Sequence, residues 1–112
     1  MSYYFYIIEG ARGRPGFGIT KNIKERAKQY SSHMGEIANF PRIFTGNERH
    51  IRALEKTFKR DPDLIWQVED WNTEWIDGMD MGTFIQTVLE IIENRHWDIQ
   101  VVSNNYNHTL NI

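Results

Sequence analysis

The sequence predicts a small α/β (α+β) sandwich, in which a small central and largely antiparallel β-sheet is flanked by helices. Three observations carry this expectation. The run Tyr3–Glu9 is almost entirely aromatic and β-branched, the composition of a strand. Both alternating sets within it are apolar or amphipathic: Tyr4, Tyr6 and Ile8 share one face, Tyr3, Phe5 and Ile7 the other. Such a strand is central and covered on both sides. Helical periods then alternate with short strand-like runs, in the order β-β-α-β-α followed by an α-β end.

Gly10–Gly16 holds three Gly, one Pro and two Arg and predicts a hairpin loop. Phe17–Thr20 is the returning strand, with Gly18 marking a close approach of backbone or ligand. Asn22 is a good N-cap, and Glu25 suits the first turn of a helix running to about Ser32. At about 100° per residue, Ile23, Ala27 and Tyr30 share its inner face. Arg26 lies about 60° to the side of Ile23, and Tyr30 follows it by one turn. Ser31–Phe40 reads as loop and Pro41–Thr45 as a short strand. Thr45 and Glu48 have capping-box spacing, opening a helix to about Arg60. Its stripe is Ile51, Leu54 and Phe58, with Glu55 inside the same sector. Leaving a carboxylate unpaired there would cost several kcal/mol, so Glu55 needs a cationic partner or a metal. Leu64–Val68 predicts an extended segment and Trp71–Ile76 a covering loop or edge segment. Gly82–Arg95 is a third helix, Trp97–Ser103 a last strand, and residues 104–112 a loosely held tail. Residues 1–103 thus form a single domain.

Composition narrows the function classes. The 112 residues contain no cysteine, which excludes disulfides, thiolate metal sites and a cysteine nucleophile. No apolar run reaches the roughly 18 residues needed to cross a bilayer, and the N-terminus lacks a secretory pattern. A cytoplasmic, non-membrane setting is therefore expected. The net charge of −2 conceals an asymmetry. From Gly10 to Arg60 there are twelve Lys/Arg against four Asp/Glu; from Asp61 onward, one Arg against ten Asp/Glu. The basic part suits a polyanion, and the acidic part suits restraint of non-specific adhesion or a basic protein partner. A solvated surface of uneven charge is the plain alternative. His33, His50, His96 and His108 are scattered without metal-ligand spacing and read as surface or loop residues. The glycines before Gly18 are not a phosphate loop, because no Gly-Lys-Ser/Thr follows.

Tyr4-Phe5-Tyr6, Gly16-Phe17-Gly18, the run Ile19–Arg26 and the helix segment Ala53-Leu54-Glu55-Lys56 together resemble the GIY-YIG nuclease family. Asn72–Ile76 followed by an Ile-rich helix resembles the ending of a subgroup found in phage and bacterial proteins. The resemblance spans about Tyr3 to Ile92. It implies a GIY-YIG-like domain and metal-dependent endonuclease chemistry, the hydrolysis of phosphodiester bonds in DNA with Mg²⁺ or Mn²⁺. The implied catalytic residues are Tyr6, which orients or deprotonates water; Arg26, which contacts a phosphate oxygen; Tyr30 beside it; and Glu55, which holds the metal. Arg14, Lys21, Lys24 and Lys28 would contact the nucleic-acid backbone. Action in the host cytoplasm follows for a phage-type member, with a second copy or a protein partner to choose the target. Two positions depart from the pattern: Tyr4 stands where the first motif has glycine, and Gly16 where the second has tyrosine. The departures open an alternative, a catalytically impaired module that binds nucleic acid or inhibits a protein partner. Each residue also has a purely structural reading: Tyr6 and Tyr30 as core, Arg26 as a surface charge, Glu55 as the partner of Arg52 or Lys59.

Overall fold

The computed structural model describes residues 3–34, 38–60, 65–69, 73–104 and 106–107 of the chain. Its elements are β1 (Tyr3–Glu9), β2 (Pro15–Thr20), α1 (Ile23–Met34), β3 (Asn39–Phe40), β4 (Arg42–Gly46) and α2 (Glu48–Lys59). These are followed by β5 (Ile65–Glu69), β6 (Thr73–Asp77), α3 (Met81–Arg95), β7 (Ile99–Ser103) and β8 (Tyr106–Asn107). Six strands form one sheet in the order β5-β6-β2-β1-β4-β7, every neighbouring pair antiparallel. β3 and β8 pair separately as a short ribbon.

The alternation within β1 sorts the molecule into two layers. Tyr3, Phe5 and Ile7 face a core built with Phe17, Phe44, Ile51, Leu54, Phe58, Phe84 and Val88, so α2 and α3 cover that side. Tyr6 and Ile8 face Ile23, Ala27, Tyr30, Phe40 and Ile43, so α1 and the β3–β8 ribbon cover the other. Phe5, Tyr6, Ile7 and Ile8 are all fully buried. Burying a side chain of this kind contributes about 1.5–3 kcal/mol, which makes β1 the strand on which both layers depend.

Local chemistry sets the helix starts. Asn22 Oδ1 accepts from the Glu25 amide at 3.0 Å, opening α1 as expected. Asp80 Oδ1 accepts from the Thr83 amide at 2.7 Å and opens α3; that bond holds the Asp80 carboxyl below its ordinary range. At α2 the expected Thr45 cap is replaced by Asn47, whose side chain accepts from the Arg49 amide at 2.9 Å. Thr45 stays in β4 and donates to the Tyr3 carbonyl at 3.0 Å instead. His50, expected as a surface residue, accepts from the Asp98 amide at 2.9 Å and stacks on Trp97.

Three segments are more regular than their composition suggests. α1 continues to Met34, and Asn39–Phe40 form β3 within the expected loop. Tyr106 and Asn107, expected in the loose tail, form β8; residues 108–112 lie outside the described residues. Thr73–Asp77, expected as a covering or edge segment, is an interior strand between β5 and β2, while residues 71–72 lie outside the described residues. β6 is interior because its side chains serve both layers. Ile76 is 1% exposed in the α2–α3 core, and Trp75 packs on the opposite side.

Trp75 also accounts for Gly16. The two residues are paired across β6 and β2, and a Cβ at Gly16 would lie 2.7 Å from the indole. Gly10 lies beneath the same ring. The indole thus occupies the volume a tyrosine at position 16 would claim. Gly46 is confined differently: a Cβ there would meet the backbone carbonyl of Asp98. Gly16→Ala should cost about 1–3 kcal/mol in urea unfolding, and less in a Trp75→Leu background, where only the Ile8 side chain at 3.1 Å still crowds the new Cβ. Gly46→Ala should cost more than Gly16→Ala, because main chain yields less readily than a side chain. An equal cost of Gly16→Ala in both backgrounds would rule out this account of the glycine.

Candidate functional site

The strand–turn–helix from β2 to α1 delivers Arg26 and Tyr30 to the layer that contains Tyr6. Arg26 Nη1 donates to Tyr6 Oη at 3.1 Å, and Tyr6 Oη lies 3.0 Å from Tyr30 Oη. The guanidinium carbon sits 5.8 Å from the centroid of the Tyr6 ring. The two tyrosine rings meet edge to face at 6.0 Å, and Phe40 stands against both, at 5.5 and 6.2 Å. Tyr6 is 0% and Tyr30 2% exposed, while Arg26 is half-buried at the rim. The result is a hydrogen-bonded chain that runs from a surface guanidinium into the core.

The surroundings of Tyr30 favour its neutral form. Burial pushes the Tyr30 hydroxyl well above its ordinary value; the neighbouring Tyr6 adds to the rise, and Arg26 opposes it. Tyr30 therefore serves as a hydrogen-bonding hydroxyl and not as a base. Tyr6, the residue expected to act on water, has its hydroxyl sealed beneath Arg26, Tyr30 and Phe40.

The structure brings Tyr6, Arg26 and Tyr30 together and places Glu55 elsewhere. Glu55 lies on α2, whose Ile51, Leu54 and Phe58 pack with Phe5 and Ile7 on the far side of the sheet. Its Oε2 is 3.6 Å from Lys59 Nζ, one of the two helical-spacing partners open to it in the sequence. Next to it, Arg52 donates through Nε to Glu48 at 2.9 Å and through Nη2 to Tyr3 Oη at 3.1 Å. Each sheet face thus carries a tyrosine–arginine contact. The i,i+4 spacing of Glu48 and Arg52 was the available sequence signal for the second. The contact engages one Glu55 oxygen with an exposed lysine, and that ammonium group would have to move aside for a resident Mg²⁺. Among the described residues no group of three or more His, Asp or Glu side chains converges as a metal site.

The expected nucleic-acid residues divide in two. Lys21, Lys24 and Lys28 are exposed along the start and outer side of α1. Arg14 is half-buried, with its guanidinium carbon 5.9 Å from the Trp75 ring, so it is tied to β6. Sequence reasoning noted Tyr4 only as a strand residue and a departure from the first motif, and did not single out Tyr106. Together with Lys21 and Lys24 they line a cleft of about 350 Å³ beside the first turn of α1. Among the described residues no helix is long and apolar enough to cross a membrane.

With this fold and site in view, the chain was compared with protein-family models, curated proteins and solved structures, and none matched. The class the coordinates define is a mixed α+β domain with an antiparallel sheet between helical layers.

The neutral Tyr30 has a consequence for pH dependence. Below about pH 10 the tyrosine is protonated in both folded and unfolded chains. Above it the unfolded chain ionises while the folded one resists, so stability falls by about 1.4 kcal/mol per pH unit from this group. Tyr30→Phe should cost about 1 kcal/mol at neutral pH. In urea unfolding the gap between wild type and variant should close or reverse near pH 11. Parallel stability curves would show that Tyr30 ionises as readily in the fold as outside it.

Proposed function

We propose that this domain binds nucleic acid as a nuclease-like module whose hydrolytic groups are not assembled. The observation that carries the reading is the division of the candidate residues by the sheet. Arg26 sits with two buried tyrosines on one side, while Glu55 is paired with Lys59 on the other. Phosphodiester hydrolysis needs the guanidinium, the carboxylate-held metal and the activated water within reach of one phosphate. Binding needs less: exposed cations at a spacing that follows the backbone. Lys21 just before α1, with Lys24 and Lys28 on it, supplies the exposed cations.

Mg²⁺- or Mn²⁺-dependent hydrolysis of DNA is the second reading. Its support is the order of Tyr6, Arg26, Tyr30 and Glu55 along strand, helix and later helix. It requires Glu55 to leave Lys59 and Tyr6 to become accessible. Fluorescence anisotropy with labelled DNA over a salt series, run beside a supercoiled-plasmid nicking assay with Mg²⁺, separates the two. Binding should weaken with salt, and replacing Lys21, Lys24 and Lys28 by Glu should lower the slope of log affinity against log salt by about two to three. Nicking should stay at background. Nicking that is lost on Glu55→Ala would establish the hydrolase in place of the binder, and no binding at low salt would remove the nucleic-acid reading.

A further inference from the structure

The cleft beside α1 has a more specific chemistry than a basic patch. Its floor is the buried Ile43 of β4 and the half-buried Tyr4 of β1. Tyr106 of β8 forms a wall, held edge to face against Phe40 with centroids 5.9 Å apart. Val102 of β7 forms another and is 53% exposed. A slip in pairing lies beside the opening: Ile43 is opposite Ser103 and Phe44 opposite Val101, which leaves Val102 as the extra residue of a bulge. Lys21 and Lys24 stand exposed at the rim, and among the described residues no carboxylate lines the cleft. The volume of about 350 Å³ is at the small end of ligand sites.

We infer that this cleft is a slot for one unpaired nucleotide, with the base against Tyr4 and Tyr106 and its phosphate at Lys21 and Lys24. The inference rests on the nucleic-acid reading above and deepens it. Flat aromatic and aliphatic walls suit the face of a base, which stacks without regard to sequence. The cationic rim suits the phosphate attached to that base. A duplex keeps its bases stacked inside and offers the rim only its phosphates. The slot therefore selects single strands over duplex.

The test is anisotropy of the full chain with a labelled oligothymidylate and with a duplex of equal length, at matched salt. Wild type should bind the single strand about tenfold more tightly. Val102→Trp fills the slot from an exposed position; it should weaken single-strand binding about tenfold, leave duplex binding unchanged and keep the circular-dichroism spectrum. Tyr4→Leu, which removes the ring while keeping apolar contact, should give the same selective loss and serves if Val102→Trp does not fold. Equal affinity for both nucleic acids, or single-strand affinity untouched by folded Val102→Trp, would overturn the slot while leaving the wider reading in place. Binding to neither would defeat both. Slot-dependent capture of an aromatic peptide with no single-strand preference would identify a protein site and overturn the nucleotide assignment.

Discussion

Burial of β1 on both faces is the constraint on which the rest of the structure depends. Its inner residues are alternately committed to opposite layers, and no residue on it can serve both. Each helix must then deliver its side chains to one layer alone. α1 covers the Tyr6 side and α2 the Phe5 side, so Arg26 and Glu55 are kept apart by the sheet itself. A one-residue change in the register of β1 would exchange the layers and bury the wrong set of side chains, which makes the separation as secure as the core.

The layer under α1 shows how one helix can meet two demands. Ile23, Ala27 and Tyr30 point inward, while Lys24 and Lys28 stay in solvent, and Arg26 sits at the boundary. The aliphatic stem of such a boundary arginine covers apolar surface while its head reaches polar groups. Here the head donates to Tyr6, and Tyr6 and Tyr30 share a further hydrogen bond. Two buried hydroxyls are thereby partnered, avoiding the desolvation cost of leaving either alone. The same contacts fix the angle of α1 on the sheet, and so the position of its first turn beside Tyr4 and Tyr106.

Much of this was legible in short windows of sequence. The alternation in β1, the Asn22 cap and the helical stripes of α1, α2 and α3 depend on neighbours within a few residues. The contact of Arg26 with Tyr30 follows from one helical turn, with Tyr6 as the strand residue beneath. What could not be read was which sheet face each helix covers. An apolar stripe on α2 is satisfied equally by either side, so Glu55 could be assigned to the wrong neighbours without any local contradiction. Strand β6 was hidden for a related reason. Its polar residues obscure the alternation, and its identity comes from pairing with β2, whose Gly16, together with Gly10 of the preceding loop, makes room for Trp75. At α2, Thr45 and Asn47 were both able to cap, and the choice fell to a hydrogen bond from Thr45 to β1, remote in sequence. The cleft lay beyond sequence reasoning because it needs five separate elements.

The seat of Trp75 over Gly10 and Gly16 has a bearing on how the chain assembles as it emerges from the ribosome. The β1–β2 hairpin can close as soon as its own residues are available, yet one patch of its surface is shaped for a side chain nearly sixty residues later. Until that indole arrives, two bare glycines leave backbone open and the flank of β2 unpaired. Early closure is therefore provisional, and the late segment acts as the latch that makes it permanent. Contacts this distant in sequence slow folding, and an exposed strand flank invites pairing with other chains in the interval.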